Sequence, residues 1–217
     1  MTFPTMTRER FSRKQTLDLQ TAMATAIAGV LRPAEFPGPA GKGKIKFRKV
    51  FAEWPTSVDG NVTLAACVLS NDTIKYAPAL LTPKLLEDTW EPKGGLGLGL
   101  YKVSEGECDF HVELRAPSKP ERSALVAGVE QLFFAAGVLN NNPQGARYGV
   151  MVPMPEYWGL NVRLSVQDKA MGDDAESAKT NRWEAVFLIR AQANHVRLDT
   201  VAPFKVRIIE LVDGETG

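Results

Sequence analysis

From Glu107 to Arg115 the side chains alternate without exception, and that alternation constrains the fold more than any other feature of the chain. Cys108, Phe110, Val112 and Leu114 point one way, while Asp109, His111, Glu113 and Arg115 point the other. A helix would scatter these residues around its circumference. A strand sorts them into one apolar and one wet face, the signature of an antiparallel sheet covered on one side. The same period recurs further on, where Val162, Leu164 and Val166 alternate with Asn161, Arg163, Ser165 and Gln167. The stretch "WEAVFLIRA" (183–191) is apolar on both faces at its centre and reads as a central, doubly covered strand.

Other segments extend this pattern. Strands are expected at 44–51, 61–70 and 73–78, the last two paired as a hairpin across Asn71-Asp72. Residues 83–89 are readable as a short helix. Strands at 97–103 and 107–115 are joined by a turn, "SEGE", and four more are expected at 147–153, 161–168, 182–191 and 195–212, with Pro203 bending the last. The clearest helix is 118–138. "SKPE" has the form of a capping box, with Ser118 as N-cap and Glu121 reaching back, and Pro120 sits in the first turn where it costs no hydrogen bond. A second helix is expected from about Gln15 to Leu31, ended by Pro33 and followed by the Pro/Gly-rich "RPAEFPGPAGKG". The fold class is therefore α+β: a mostly antiparallel or mixed sheet packed by the helix at 118–138. Residues 1–40 read as an N-terminal helical arm and linker. Residues 41–213 read as a single domain with an acidic hairpin loop at 168–181.

Composition excludes little but excludes it clearly. A net charge of +1 gives no global field to attract nucleic acid or an anionic membrane. No apolar run approaches the length of a membrane span, and the first fifteen residues lack the apolar core of a secretory leader. Cys67 and Cys108, each within a strand-like run, read as buried thiols and not as a disulfide framework.

Candidate sites divide into chemistry and contact. "GGLGLGLY" (94–101) alternates glycine with Leu96, Leu98 and Leu100, and has neither the spacing nor the following helix of a phosphate loop. It reads as a strand with one flat face at a neighbour or subunit contact. His111 and His195 both lie within strands, outside any nucleophile motif. Asp173, Asp174 and Glu176 lack the ligand spacing of a calcium loop and read as a solvated connection. Cys67 and Cys108 lack partners at zinc-ligand spacing. No catalytic, cofactor or metal residue is assigned. Lys42, Lys44, Lys46 and Arg48 share one strand side and are candidates to face phosphate, or to blunt a sheet edge. In "MPEYW" Glu156 is a lone acid, whereas Pro155, Tyr157 and Trp158 read as a rigid aromatic corner and candidate subunit contact.

Three stretches in order, "VELRAPSKPERSALVAGVEQLF", "VPMPEYWGLNVRLSVQD" and "DDAESAKTNRWEAVFLIRAQANHVRL", resemble the tail-completion and tail-terminator-like neck proteins of tailed bacteriophages. The shared elements are a strand, a Ser/Thr-x-x-Glu-Arg-capped helix, a Pro-x-Tyr-aromatic corner, and an acidic loop leading into a long final hairpin. The resemblance covers residues 107–212, and residues 1–105 depart from the compact family version. It implies a non-enzymatic virion subunit, made in the host cytoplasm, whose partners are further copies of itself in a hexameric ring, the tail tube below and the head connector above. The basic strand side at 42–48 leaves open a non-specific contact with DNA passing a lumen. The alternatives are a nucleic-acid-binding protein using the basic strand at 42–48, and an enzyme of unrecognised type.

Overall fold

The computed structural model describes residues 17–40, 43–52, 64–70, 73–78, 83–88, 97–138, 149–172 and 183–201. Two helices and ten strands lie within them: α1 (Leu19–Leu31), β1 (Glu35–Pro37), β2 (Lys44–Lys46), β3 (Lys49–Phe51), β4 (Ala65–Ser70), β5 (Lys75–Tyr76), β6 (Lys84–Asp88), β7 (Gly97–Ala116), α2 (Lys119–Val138), β8 (Val150–Met154), β9 (Leu160–Met171) and β10 (Trp183–Val201). The fold is mixed α+β and mostly strand. β1 and β2 form a small antiparallel sheet of their own, and the main sheet has the order β3-β4-β7-β10-β9-β8. Only the β3–β4 pair is parallel among the pairings of the described residues.

The centre of the sheet is a pair of unusually long strands. β7 has 20 residues and β10 has 19, against about five or six in an ordinary strand. They pair antiparallel throughout, from Trp183 opposite Ala116 to Val201 opposite Gly97, with one register shift between His195 and Val196. Here the structure corrects the expected turn at "SEGE" and the expected separation of the strands at 182–191 and 195–212, which are one strand; Pro203 lies outside the described residues. Ser104–Gly106 stay paired with Ala193–His195, because the partner strand offers ladder bonds that a turn would forfeit. The outer edge of β7 is covered in relays. β4 lies along Phe110–Arg115, β5 along Gly106–Glu107 and β6 along Gly99–Lys102. The expected β4–β5 hairpin is therefore absent, and the stretch readable as a helix at 83–89 is the strand β6. The expected strand at 44–51 is broken after Lys46: Phe47 turns in to meet Phe36 edge-on at 5.6 Å, and the chain resumes as β3.

One face of the sheet is buried. Cys108, Phe110, Val112 and Leu114 of β7 join Ala185, Phe187, Ile189 and Ala191 of β10 and Val162 and Leu164 of β9 in a single core. The other face is half-buried. Val186 and Leu188 are intermediate in exposure, which corrects the expectation of a doubly covered central strand.

Both helices contribute to the same core. α1 is capped by Asp18, whose carboxylate accepts from the Thr21 N–H at 3.0 Å and from its hydroxyl at 2.7 Å. Eight of its thirteen residues are buried, and Thr21, Thr25 and Gly29 form the one less buried stripe. A helix with so wide a buried face packs into a core and not merely onto a surface. α1 touches β3 and β4 near one rim of the sheet and β8 and β9 at the other, so the sheet curls around it. The helix read as the root of an N-terminal arm is thus a core element. α2 begins at a reciprocal cap in which the Ser118 hydroxyl accepts from the Glu121 N–H at 3.4 Å and donates to the Glu121 carboxylate at 2.7 Å. Arg122, 1% exposed, then anchors the helix to the sheet. Its guanidinium donates to the carbonyls of Gly172 and Glu184 and lies 5.4 Å from the Trp183 ring centroid. No helix among the described residues is long and apolar enough to cross a membrane.

The small sheet is seated on α2 through a close approach. A Cβ at Gly128 would stand 2.1 Å from Cδ1 of Phe36. Gly128→Ala gains about 1 kcal/mol of helix propensity but overpacks a fixed ring at about 1–3 kcal/mol. The expected net outcome is destabilisation, read as a lower urea midpoint with an unchanged slope. An unchanged or higher midpoint would show that Phe36 does not sit on this helix.

Candidate functional site

The richest convergence of polar and aromatic side chains among the described residues lies where the central ladder changes register. His195 stands opposite Ser104 and Val196 opposite Lys102, which leaves Val103 of β7 as the extra residue of a bulge. Bulges kink a strand and increase its local twist. β9 stops pairing with β10 at Ala193, just before this point. Past the bulge the ladder continues as a narrower ribbon of β6, the first residues of β7 and the last of β10.

Three contacts fasten the kink. The Ser104 hydroxyl lies 3.2 Å from Nδ1 of His195. The ring of Tyr76, from β5, lies 4.6 Å from the His195 ring at a tilt of 46°. Tyr157 reaches across from the β8–β9 turn, and its hydroxyl accepts the Val196 N–H at 3.4 Å. Burial pushes the Tyr157 phenol above its ordinary value, opposed by this hydrogen bond; burial raises Tyr76 likewise, aided by the charge of Asp18. Both phenols are therefore neutral at physiological pH. Gly106 adds room nearby, since a Cβ there would stand 2.8 Å from Leu19 and 2.9 Å from Ile74.

Beside the bulge lies an open cavity of about 270 Å³ lined by Lys75, Tyr76, Ala77, Glu105, Gly106, Glu107 and Gln192. Lys102 pairs with Glu105 and lowers its carboxyl below the usual range, first by the hydrogen bond and then by charge. The half-buried face of the sheet continues from this cavity as charged rows. Arg190 grips Asp109 with two bonds of 2.9 and 3.1 Å and lies 3.2 Å from Glu107, while Arg115 lies 3.2 Å from Glu184 and 3.6 Å from Glu113.

The serine–histidine contact resembles a nucleophile and its base, yet Ser104 is only 5% exposed, which leaves no approach for a substrate carbonyl. Its evident work is to join the two strands across the kink. The contact spans 91 residues of sequence, so no local motif could have announced it. Reading "SEGE" as a turn concealed it further.

The residues singled out from sequence are dispersed. Pro155, Tyr157 and Trp158 occupy the β8–β9 corner, where Tyr157 N–H bonds to the Met154 carbonyl and Leu160 N–H to the Tyr157 carbonyl, both at 3.0 Å. Trp158 (φ 55°) and Gly159 (φ 64°) are both left-handed, which makes the second of these a type I′ turn. Pro155 is exposed, Trp158 half-buried, and Tyr157, at 2% exposure, is core and not contact surface. Leu100 is likewise 2% exposed, so it is unavailable to a neighbouring subunit. Leu98 pairs in register with Thr200, and Leu96 lies outside the described residues. Lys44, Lys46 and Arg48 are exposed, but Arg48 lies past the end of β2, Lys44 is paired with Glu35 at 3.0 Å and Lys46 stands opposite that same residue. The basic row is thus partly neutralised; Lys42 lies outside the described residues, as do Asp173, Asp174 and Glu176. His111 is half-buried on the charged face, opposite Leu188 and Leu69. Cys67 and Cys108 are buried and not joined in a disulfide, and burial raises the Cys67 thiol first, with the charge of Glu113 adding to it.

Two outcomes test this arrangement. Tyr157→Phe removes the acceptor for the Val196 N–H, at a cost of about 1 kcal/mol in urea unfolding. Hydrogen exchange at Val196 should quicken more than at Phe187; equal quickening at both would mean no local latch exists. The second concerns acid. The Arg190 hydrogen bond holds the Asp109 carboxyl below its ordinary 3.8, so its contribution is complete above that value and is lost as pH falls through the lower folded value. Asp109→Asn should therefore be less stable than the parent at pH 7, with the difference vanishing in strong acid. A difference that persists undiminished in strong acid would refute the pairing.

The chain matches no protein-family model and no curated protein.

Proposed function

We propose that the chain is a structural subunit of a closed ring in the neck of a tailed bacteriophage, of the tail-terminator or tail-completion kind, placed between the tail tube and the head connector. The reading rests on the order of capped helix, Pro-x-Tyr corner and long final strand. The single observation that carries it further is that the two rims of the main sheet are unlike. One rim is β8, where Met151 is 54% exposed; the other includes β6, where Leu85 is 39% exposed. Exposed apolar side chains on strands at a rim invite a partner. Contacts between two unlike surfaces are heterologous, and repeating one such contact closes a ring when the rotation permits.

In this reading function is geometry. The ladder of β7 and β10 gives each subunit stiffness, and the ribbon past the bulge extends toward a neighbour. Residues 19–31 serve the subunit's own core, so any arm laid on a neighbour comes from elsewhere. A nucleic-acid-binding role is less well supported, since Glu35 offsets part of the basic row at Lys44 and Lys46.

Light scattering and negative-stain imaging of the purified chain should show a discrete closed oligomer. Met151→Glu should convert it to smaller species while circular dichroism and the urea midpoint remain those of the parent. A chain that stays monomeric at all concentrations, or a ring untouched by both Met151→Glu and Leu85→Glu, would overturn the proposal.

A further inference from the structure

We infer that β10 past Ala193 is a self-complementary edge that joins two copies of this chain, antiparallel, about a twofold axis through Leu198. The inference is independent of the ring reading, because a twofold contact joins like surfaces whereas the ring needs unlike ones.

Three observations carry it. First, β9 leaves β10 at Ala193, and among the described residues Asn194–Val201 pair with β7 alone. Second, the direction of the backbone on this edge can be read. Both register shifts place the extra residue on a partner strand, Val103 of β7 and Gln167 of β9, so β10 keeps one unbroken alternation. On its β9 side the Glu184 carbonyl accepts from Gly172, and the Val196 N–H goes to Tyr157. Even-numbered residues therefore address this edge, and Leu198 and Thr200 follow. Third, the side chains match themselves. Arg197 and Asp199 share one face at 64% and 45% side-chain exposure, 2.7 Å apart, and Leu198, 37% exposed, stands between them on the other.

Turning the strand about Leu198 sets Arg197 opposite the partner's Asp199 and Asp199 opposite the partner's Arg197. Leu198 then meets the partner's Leu198, and the backbone of Val196 stands opposite that of the partner's Thr200. Leu198 exchanges N–H···O bonds with its counterpart, and the Thr200 N–H reaches the partner's Val196 carbonyl. The Val196 N–H is already engaged by Tyr157, which limits the pairing to this short segment. The register is selective. An axis through Arg197 opposes two arginines, and one through Asp199 opposes two aspartates; like charges directly opposite are destabilising. So short a contact gives a weak, concentration-dependent dimer.

The test uses the full chain and its mass in analytical ultracentrifugation over a range of concentration and salt. The parent should show an association between two copies that weakens as salt is added. Arg197→Asp and Asp199→Arg should each weaken it by at least about tenfold, since each alone opposes like charges. Mixing the two variants should restore the association, because the acid introduced in one faces the arginine introduced in the other. The ion pair within one chain cannot produce that rescue. Failure of the rescue, indifference of the mass to both variants, or a monomer at every concentration would overturn the inference. A closed ring whose mass ignores both variants would do so while leaving the ring reading intact.

Discussion

Everything in this molecule hangs on the antiparallel ladder of β7 and β10. Nineteen residues of one strand pair with the other over about 65 Å of extended chain. No other element among the described residues approaches that length. β4, β5 and β6 are too short to form a stable sheet of their own, and they are ordered by the single edge of β7 that they share. β9 is set by β10, and β8 by β9. A ladder this long cannot stay flat, because each strand carries a right-handed twist that accumulates.

The twist becomes useful through α1. A helix lined with alanines and with Met23, Ile27 and Leu31 at zero exposure needs apolar cover over most of its circumference, and a flat sheet offers only one side. A curled sheet offers several. The helix and the curl thus require one another: the sheet closes around α1 from both rims, and α1 fills the space the curl creates. α2 completes the cover, tied down by Arg122 at the start of the final hairpin and by Phe36 against Gly128.

The bulge at Val103 is where body and ribbon separate. It coincides with the end of β9, so the ladder loses its lateral support and its register at one place. Ser104, His195, Tyr76 and Tyr157 gather there, from four separate segments, to compensate. The kink is held by side chains because the backbone ladder alone does not define it. That gives the ribbon a set direction and presents its edge to whatever pairs with it.

Local sequence carried a good deal of this. Alternation over Cys108–Leu114 and Val162–Val166 specified strands, and which faces were apolar, because a period of two has one structural meaning. Ser118-x-x-Glu121 specified the start of α2, and Pro155-x-Tyr157 specified a corner, since capping and turn chemistry act within a few residues. What periodicity does not contain is partnership. It could not show that "SEGE" continues a strand, because only β10 makes that continuation favourable. Nor could it show that residues 19–31 lie inside, since helical spacing is the same for an arm as for a core. Ser104 and His195 meet across 91 residues, and Tyr157 finds the Val196 N–H only because β9 ends where it does. The sequence by itself determined which segments are strand or helix and which faces avoid water. The tertiary structure alone decided which strands pair, what the helices lie against and which distant side chains share a site, because those depend on pairing energy between segments that local order never compares.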